Sequence, residues 1–237
     1  METDATVRFF AVVPAAGAGA RMGAPVPKQY LRLGGRTVLE HTLARLCAQP
    51  QLRGVALALA ADDRHWDALR YECPLPLWRV DGGAERCHSV LNALERLAQE
   101  AAPHDWVLVH DAARPCVRGS DIDRLIETAR RHPVGGLLAV PVRDTMKRAD
   151  EHATVLETVS RDGLWHALTP QMFRIGELTQ AVRSALAEGC LVTDEAAAME
   201  RAGRAPRLVP GHSDNIKITR PEDLALAGFF LQQQHTP

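Results

Sequence analysis

The strongest constraint on this chain is a repeated alternation. Five short segments, "VRFFAVVPA", "RGVALALA", "PLWRVDGG", "DWVLVHDA" and "GGLLAVPV", are almost continuously apolar and end in turn-forming residues. That pattern predicts strands buried on both faces, as in a parallel sheet. Helical patterns lie between them, at Thr37 to Cys47, Arg64 to Tyr71, Glu85 to Ala98 and Asp121 to Arg131. In the first, Val38, Leu39, Thr42, Leu43 and Leu46 make one apolar stripe. Further helices are expected at Glu177 to Glu188, Asp194 to Arg201 and Pro221 to Gln232. The last opens on "TRPE", read as Thr219 capping, Pro221 in the first turn and Glu222 completing a capping box. Strands alternating with helices imply an α/β fold, a mainly parallel sheet flanked by helices on both faces. Residues 143–161, "RDTMKRADEHATVLETVSR", break the alternation: too polar for a core strand, too long for a tight connection. They are expected to leave the domain as a hairpin arm.

Composition removes several classes of function. The chain has 237 residues, enough for one large domain or two small ones with a sizeable core. A formal net charge of -1 supplies no global field for nucleic acid or an anionic membrane, so any anion recognition must be local. Aromatic residues at 5% leave few platforms for stacking bases. No apolar stretch approaches a membrane span, and the acid-bearing "METDATVRFF" lacks the apolar core of a signal peptide. Five scattered cysteines without metal-site spacing read as free thiols in a reducing compartment, so a cytoplasmic location is expected.

Open parallel sheets bind ligands beyond the carboxyl ends of their strands, and three such ends stand out. The first strand runs into "PAAGAGARMGAPVPKQYL". Small residues let the backbone approach a ligand, and consecutive amides can cup phosphate oxygens. Arg21 would add a planar fork and Lys28 a mobile charge. The segment is neither a P-loop nor a dinucleotide fingerprint, and a glycine-rich surface turn with two solvated cations is the plainer alternative. The strand "WVLVHDA" delivers Asp111 and Arg114 to the same edge. A carboxylate beside phosphate-binding cations suits Mg²⁺, which takes oxygen ligands; a helix cap or an Asp111–Arg114 surface pair is the alternative. The third end, "DGGAERCHSV", offers Gly82, Gly83 and the hydroxyl of Ser89 to a flat base, or else is only a strand-to-helix turn.

With these blocks in hand, the chain closely resembles the 2-C-methyl-D-erythritol 4-phosphate cytidylyltransferase family. The resemblance runs from "VVPAAGAGARMG" and "PKQYL" through "VDGG.ER..SV", "VLVHDAARPCV", "PVRDTMKR", "GLWHALTPQMF" and "VTDEA" to "DNIKITRPEDLALA". It implies a Rossmann-like nucleotidyltransferase fold in a single domain, residues 1–237, whose protruding β-arm at 143–161 serves dimerisation. It also implies transfer of the cytidylyl group of CTP to 2-C-methyl-D-erythritol 4-phosphate, with Mg²⁺ and release of pyrophosphate, for isoprenoid precursor synthesis. Arg21 and Lys28 match the catalytic pair. Ala15, Ala16, Gly17, Gly83, Ala84 and Ser89 match nucleotide-binding positions. Arg114, Thr145, Arg161, Thr169 and Lys217 match substrate-binding positions, and Asp111 the metal position. Ala84 and His88 stand where relatives can carry acids, and Ala18 and Ala20 replace bulkier residues. The resemblance further implies a homodimer taking Arg161 from the partner chain, which would let the arm bury Val155, Leu156 and Val159.

The residue types agree with that chemistry. A phosphate dianion is already a nucleophile, so no triad or general base is needed; two anions must instead be brought together by cations. Taken alone, "DNIKI" reads as an edge strand with a surface lysine. Two other activities remain open at this level: cytidylyl transfer to another polyol phosphate such as ribitol phosphate, and CTP sensing without turnover.

Overall fold

The computed structural model describes residues 7–17 and 26–235. Five strands fall on the expected apolar runs: β1 (Phe9–Pro14), β4 (Leu52–Leu59), β5 (Leu77–Asp81), β6 (Trp106–Val109) and β7 (Gly135–Pro141). Two short strands, β2 (Arg32–Leu33) and β3 (Arg36–Thr37), form a small hairpin before α1 (Val38–Cys47). The Thr37 side chain accepts from the Glu40 amide while the Glu40 carboxylate accepts from the Thr37 amide, a reciprocal cap that starts α1 at its apolar stripe. Asp63 caps α2 (Arg64–Leu69), which ends two residues earlier than its pattern because Arg70 adopts the left-handed conformation, φ 49°.

The remaining helices are α3 (Arg86–Leu97), α4 (Gly119–Ala129), α5 (Ile175–Ala187), α6 (Glu195–Arg201) and α7 (Pro221–His235). At α7 the expected cap is corrected. The Asp223 carboxylate, one residue beyond Glu222, accepts from the amides of Thr219 and Arg220 and from the Thr219 hydroxyl.

The central sheet has seven strands in the order β11-β7-β10-β6-β1-β4-β5, where β10 is Trp165–Arg174 and β11 is Arg207–Pro210. Every pairing is parallel except those of β10, which runs antiparallel between β6 and β7. Neither β10 nor β11 is evident from the sequence. Strand β10 is masked by His166, Thr169, Pro170 and Gln171, polar or strand-breaking residues at its centre. Thr169 and Gln171 are nonetheless buried, because their side chains bond to neighbouring elements.

Alternation along β1 divides the core. Ala11 and Val13 face the layer containing Leu39, Leu43 and Leu46 of α1 and Leu125 of α4. Phe10 and Val12 face Val90, Leu94 and Leu97 of α3 and Leu178 and Val182 of α5. A third cluster seats α7 through Ala227 and Leu231 against Leu33, Val38 and Ile218. Among the described residues no helix is long and apolar enough to cross a membrane.

The polar excursion is a hairpin: β8 (Met146–Ala149) pairs antiparallel with β9 (Val155–Val159), and with no strand of the main sheet. Residues 146–158 are exposed throughout.

Candidate active site at the strand ends

The carboxyl ends of β1, β5 and β6 surround a pocket of about 460 Å³. Its first wall is Ala15, Ala16 and Gly17, which leave β1. The chain returns at Lys28, on a single 3-10 turn, Lys28–Tyr30, that places it in the pocket wall. Its neighbours pin that turn. Gln29 is buried and donates through Nε2 to the Ala15 carbonyl at 2.6 Å, tying this turn to the residue that follows β1. Tyr30, also buried, donates its hydroxyl to Asp63 at 2.7 Å. Arg21, with Ala18 and Ala20, lies outside the described residues.

The second wall is the turn at 82–89. A Cβ on Gly82 would come within 2.2 Å of the Ala16 Cβ, and one on Gly83 within 2.3 Å of the His88 Cβ. The first two walls therefore touch at a place where only glycine fits. Ser89 is buried; its hydroxyl accepts from the Gly83 amide at 3.1 Å and donates to the Glu85 carbonyl at 3.3 Å. It closes the turn. His88 has a local task too: its Nδ1 accepts from the Glu85 amide, so the imidazole takes the place an acidic side chain would hold in a capping box. Ala84 lines the pocket with little side chain to contribute.

The third wall centres on Asp111, which is nearly buried. Its Oδ1 accepts from Arg86 Nε at 2.9 Å, Lys217 Nζ lies 2.7 Å from Oδ2, and Arg114 Nε is 3.8 Å from Oδ2. Burial raises the carboxyl pKa, but Arg86 and Lys217, with Arg114, outweigh it and hold the group well below the usual carboxylate range. Arg86 also forks onto Glu195, Nη1 to Oε1 at 2.7 Å and Nη2 to Oε2 at 3.2 Å. Glu195 is 2% exposed and does not itself line the pocket; Arg86, which does, reaches it. Asp111 is neither a helix cap nor half of a surface pair.

Behind Asp111 a chain of hydrogen bonds fixes its backbone. The Asp111 amide donates to Thr169 Oγ1, Thr169 donates to His110 Nδ1, and His110 Nε2–H donates to the Arg114 carbonyl. This sequence of donors requires a neutral imidazole with its proton on Nε2. Burial agrees, lowering the His110 pKa to about 4. Asn215 extends the frame by donating to the Thr169 carbonyl while accepting from Arg114 through its own. The segment "DNIKI" is not a strand. Ile218 is fully buried and its amide donates to the Ala113 carbonyl, which leaves Lys217 on the opposite side, at the pocket.

The candidate residues thus divide. Ala15, Ala16, Gly17, Lys28, Gly83, Ala84, Ser89, Asp111 and Lys217 line one pocket. Arg114 and Thr169 lie immediately behind it; Arg114 Nε is buried without a hydrogen-bond partner. Thr145 and Arg161 do not line it. Both are exposed at the root of the arm, where Arg161 donates to the Arg143 carbonyl. Sequence reasoning passed over Gln29, Arg86 and Glu195. Arg86 carried a signal, since a cation in the first turn of a helix opposes the helix dipole and needs another reason to be there. Glu195, an ordinary first-turn acid, carried none.

Among the described residues no three or more His, Cys, Asp or Glu side chains group as a metal site. Asp111 still fits Mg²⁺ in the manner typical of phosphate chemistry, where one carboxylate suffices and water and phosphate oxygens supply the rest. Each of its oxygens keeps a lone pair beyond its cation contact.

Fold and pocket define an α/β protein that presents cations and backbone amides at the carboxyl ends of parallel strands, the arrangement of a nucleotidyltransferase. The profile of the 2-C-methyl-D-erythritol 4-phosphate cytidylyltransferase family matches residues 9–233. A relative of that name from Pseudomonas fluorescens is 57% identical over 223 residues, 94% of this chain and 95% of its own. A solved structure of a 4-diphosphocytidyl-2C-methyl-D-erythritol synthase superposes with a TM-score of 0.84 at 36% identity, covering 95% of this chain and 99% of the other. The Francisella tularensis 2-C-methyl-D-erythritol 4-phosphate cytidylyltransferase gives 0.82 at 36% identity over 94% and 99%. This chain belongs to the 2-C-methyl-D-erythritol 4-phosphate cytidylyltransferase family.

Proposed function

We infer that this chain transfers the cytidylyl group of CTP to 2-C-methyl-D-erythritol 4-phosphate, forming 4-diphosphocytidyl-2-C-methyl-D-erythritol and pyrophosphate in isoprenoid biosynthesis. The observation that carries the reading is the placement of Lys28 and Lys217 on a pocket walled by Ala15–Gly17 and the 82–89 turn, with Arg86 holding Asp111 in its wall. A phosphate oxygen of the sugar attacks the α-phosphorus of CTP in line, and pyrophosphate departs opposite. Repulsion between the two anions is the first obstacle, and the converging cations lower it. Lys28, with Arg21, stabilises charge that grows on the α-phosphoryl and bridging oxygens. Ala15, Ala16 and Gly17 hold the triphosphate by backbone amides. Gly83, Ala84 and the turn closed by Ser89 read the cytosine through main-chain groups. Mg²⁺, held by Asp111 and the triphosphate, would supply further charge neutralisation at the phosphates.

The attacking phosphate is positioned by Lys217, with Arg114 and Thr169 supporting that wall from behind the pocket, which converts an encounter into an oriented approach. Residues 1–237 act as one domain, with 143–161 as a dimerisation arm. Thr145 and Arg161, absent from the pocket of their own chain, complete the pocket of a second copy. In a twofold homodimer each arm would cover its Val155 and Leu156, both exposed in one chain.

Phosphorus NMR of CTP, the methylerythritol phosphate and Mg²⁺ tests this directly. The expected result is matched loss of CTP with new pyrophosphate and diphosphate-diester resonances. Equal turnover with ribitol phosphate would overturn the substrate assignment, and binding of CTP without any product would make the protein a sensor.

A further inference from the structure

Two thiols outside the active site lie close enough to react. Cys47, the last residue of α1, and Cys73, in the irregular stretch between α2 and β5, place their sulfurs 3.5 Å apart although 26 residues separate them. Both are half-buried, whereas Cys87 and Cys116 are buried in the core. Cys47 opens onto a surface depression of about 510 Å³, bounded by Ala44, Leu69, Tyr71 and Pro74, that a small oxidant can enter. The backbone around Cys73 is not held in a ladder: residues 70–74 belong to no helix or strand, and Arg70 adopts the left-handed conformation. One sulfur rides on a rigid helix and the other on a segment that can shift. Closing from 3.5 Å to a bond of about 2.05 Å needs only a small movement of that segment.

We propose that Cys47 and Cys73 are a redox modification site, oxidised by hydroperoxides to an intramolecular disulfide. One thiolate of the pair attacks a peroxide oxygen, the O–O bond breaks, and hydroxide or alkoxide leaves as that cysteine becomes a sulfenic acid. The other sulfur then attacks the sulfenic sulfur; the S–O bond breaks, and the hydroxide departs with the second thiol's proton as water. Two thiols are oxidised to one disulfide, and one hydroperoxide is reduced to water and water or an alcohol. Either sulfur can donate in the hydrogen bond between the thiols, and whichever accepts it is favoured as the thiolate. The disulfide would tether the end of α1 to the stretch leading into β5. That stretch follows α2, whose cap Asp63 already bonds Tyr30 beside Lys28.

The test treats the reduced full-length protein with hydrogen peroxide and counts thiols with a chromogenic disulfide under denaturing conditions. Reactive thiols should fall from five to three, with one peptide pair, containing Cys47 and Cys73, linked in mass spectrometry. The unfolding midpoint should rise by about 5 °C or more and return on adding dithiothreitol. Cys73→Ser and Cys47→Ser should each keep their four thiols free of an intramolecular bond. The proposal falls if peroxide leaves all five thiols reactive, joins other cysteines, or takes one of the pair to a sulfinic acid while the other still reacts.

Discussion

The strand-end pocket and the arm handle charge and apolar surface in opposite ways. In the pocket, Asp111 and Glu195 are buried, and Arg86, partly exposed, bridges them at 2.7–3.2 Å within one chain. On the arm, the pair Arg148–Glu157 is open to solvent, and Val155 and Leu156 remain 57% and 62% exposed. A site that must present charge to an anion is wired before the ligand arrives, because rearranging buried ions during the reaction would cost part of what they contribute. The arm carries apolar side chains that its own fold leaves uncovered, the condition for covering them with another chain.

The comparison breaks most visibly if one ion pair is cut in each region. Arg86→Ala strands Glu195 in a buried environment and should lower stability by about 3–5 kcal/mol in urea unfolding. Arg148→Ala removes an exposed partner and should cost about 0–1 kcal/mol. Similar losses at both positions would show that the pocket network is not a buried unit.

Acidification probes the same wiring. The folded pKa of His110 is about 4, below the ordinary 6.5, so between these values the unfolded chain binds the extra proton. Stability is therefore fully present above pH 6.5 and lost as pH falls towards 4, by about 3 kcal/mol. The depressed Asp111 acts in a lower window: its contribution is present above the unfolded carboxylate value near 4 and disappears below it. Unfolding curves of the metal-free protein and the ring shifts of His110 by NMR check both; a His110 that titrates near 6.5 contradicts the neutral hydrogen-bond chain.

Lys28→Ala should lower kcat by about 10²-fold or more with the fold intact, since a donor to developing charge is lost. Arg21→Ala should behave alike. Circular dichroism together with initial rates measures this, and wild-type turnover would remove the residue from the catalytic assignment.

The smallest effect addresses the arm. Lys28→Ala and Arg161→Ala chains, each inactive alone, are refolded together. If Arg161 serves the neighbouring pocket, about half the dimers are mixed with one intact site in two, and about a quarter of wild-type activity returns. Confirmed mixed dimers without activity would place Arg161 in service of its own chain.

Much of the fold was legible because its signals are local. Strands buried on both faces must be continuously apolar, and α1 carries both its stripe and its Thr37–Glu40 cap in contiguous residues. The glycine at 82 was legible as a close approach, though not what it approaches. The arm announced itself by polarity. Ala15 to Gly17, Lys28, Asp111 and Lys217, expected from strand ends and family resemblance, do line one pocket, whereas the contacts of Gln29, Arg86 and Glu195 were not foreseen.

The sequence by itself determined the layered α/β class, the positions of β1 and β4 to β7, the excursion at 143–161, and which strand ends carry polar chemistry. Each follows from periodicity or composition within a short window. Tertiary structure alone decided that β10 enters the sheet antiparallel, that Thr169 and His110 form the frame behind Asp111, and that Arg86 binds Glu195 across 109 residues. It also brought Cys47 to Cys73. The physical reason is the same in each case. A polar side chain is tolerated in the interior only when a partner meets it there, and that partner is supplied by a distant segment whose approach is set by packing of the whole sheet.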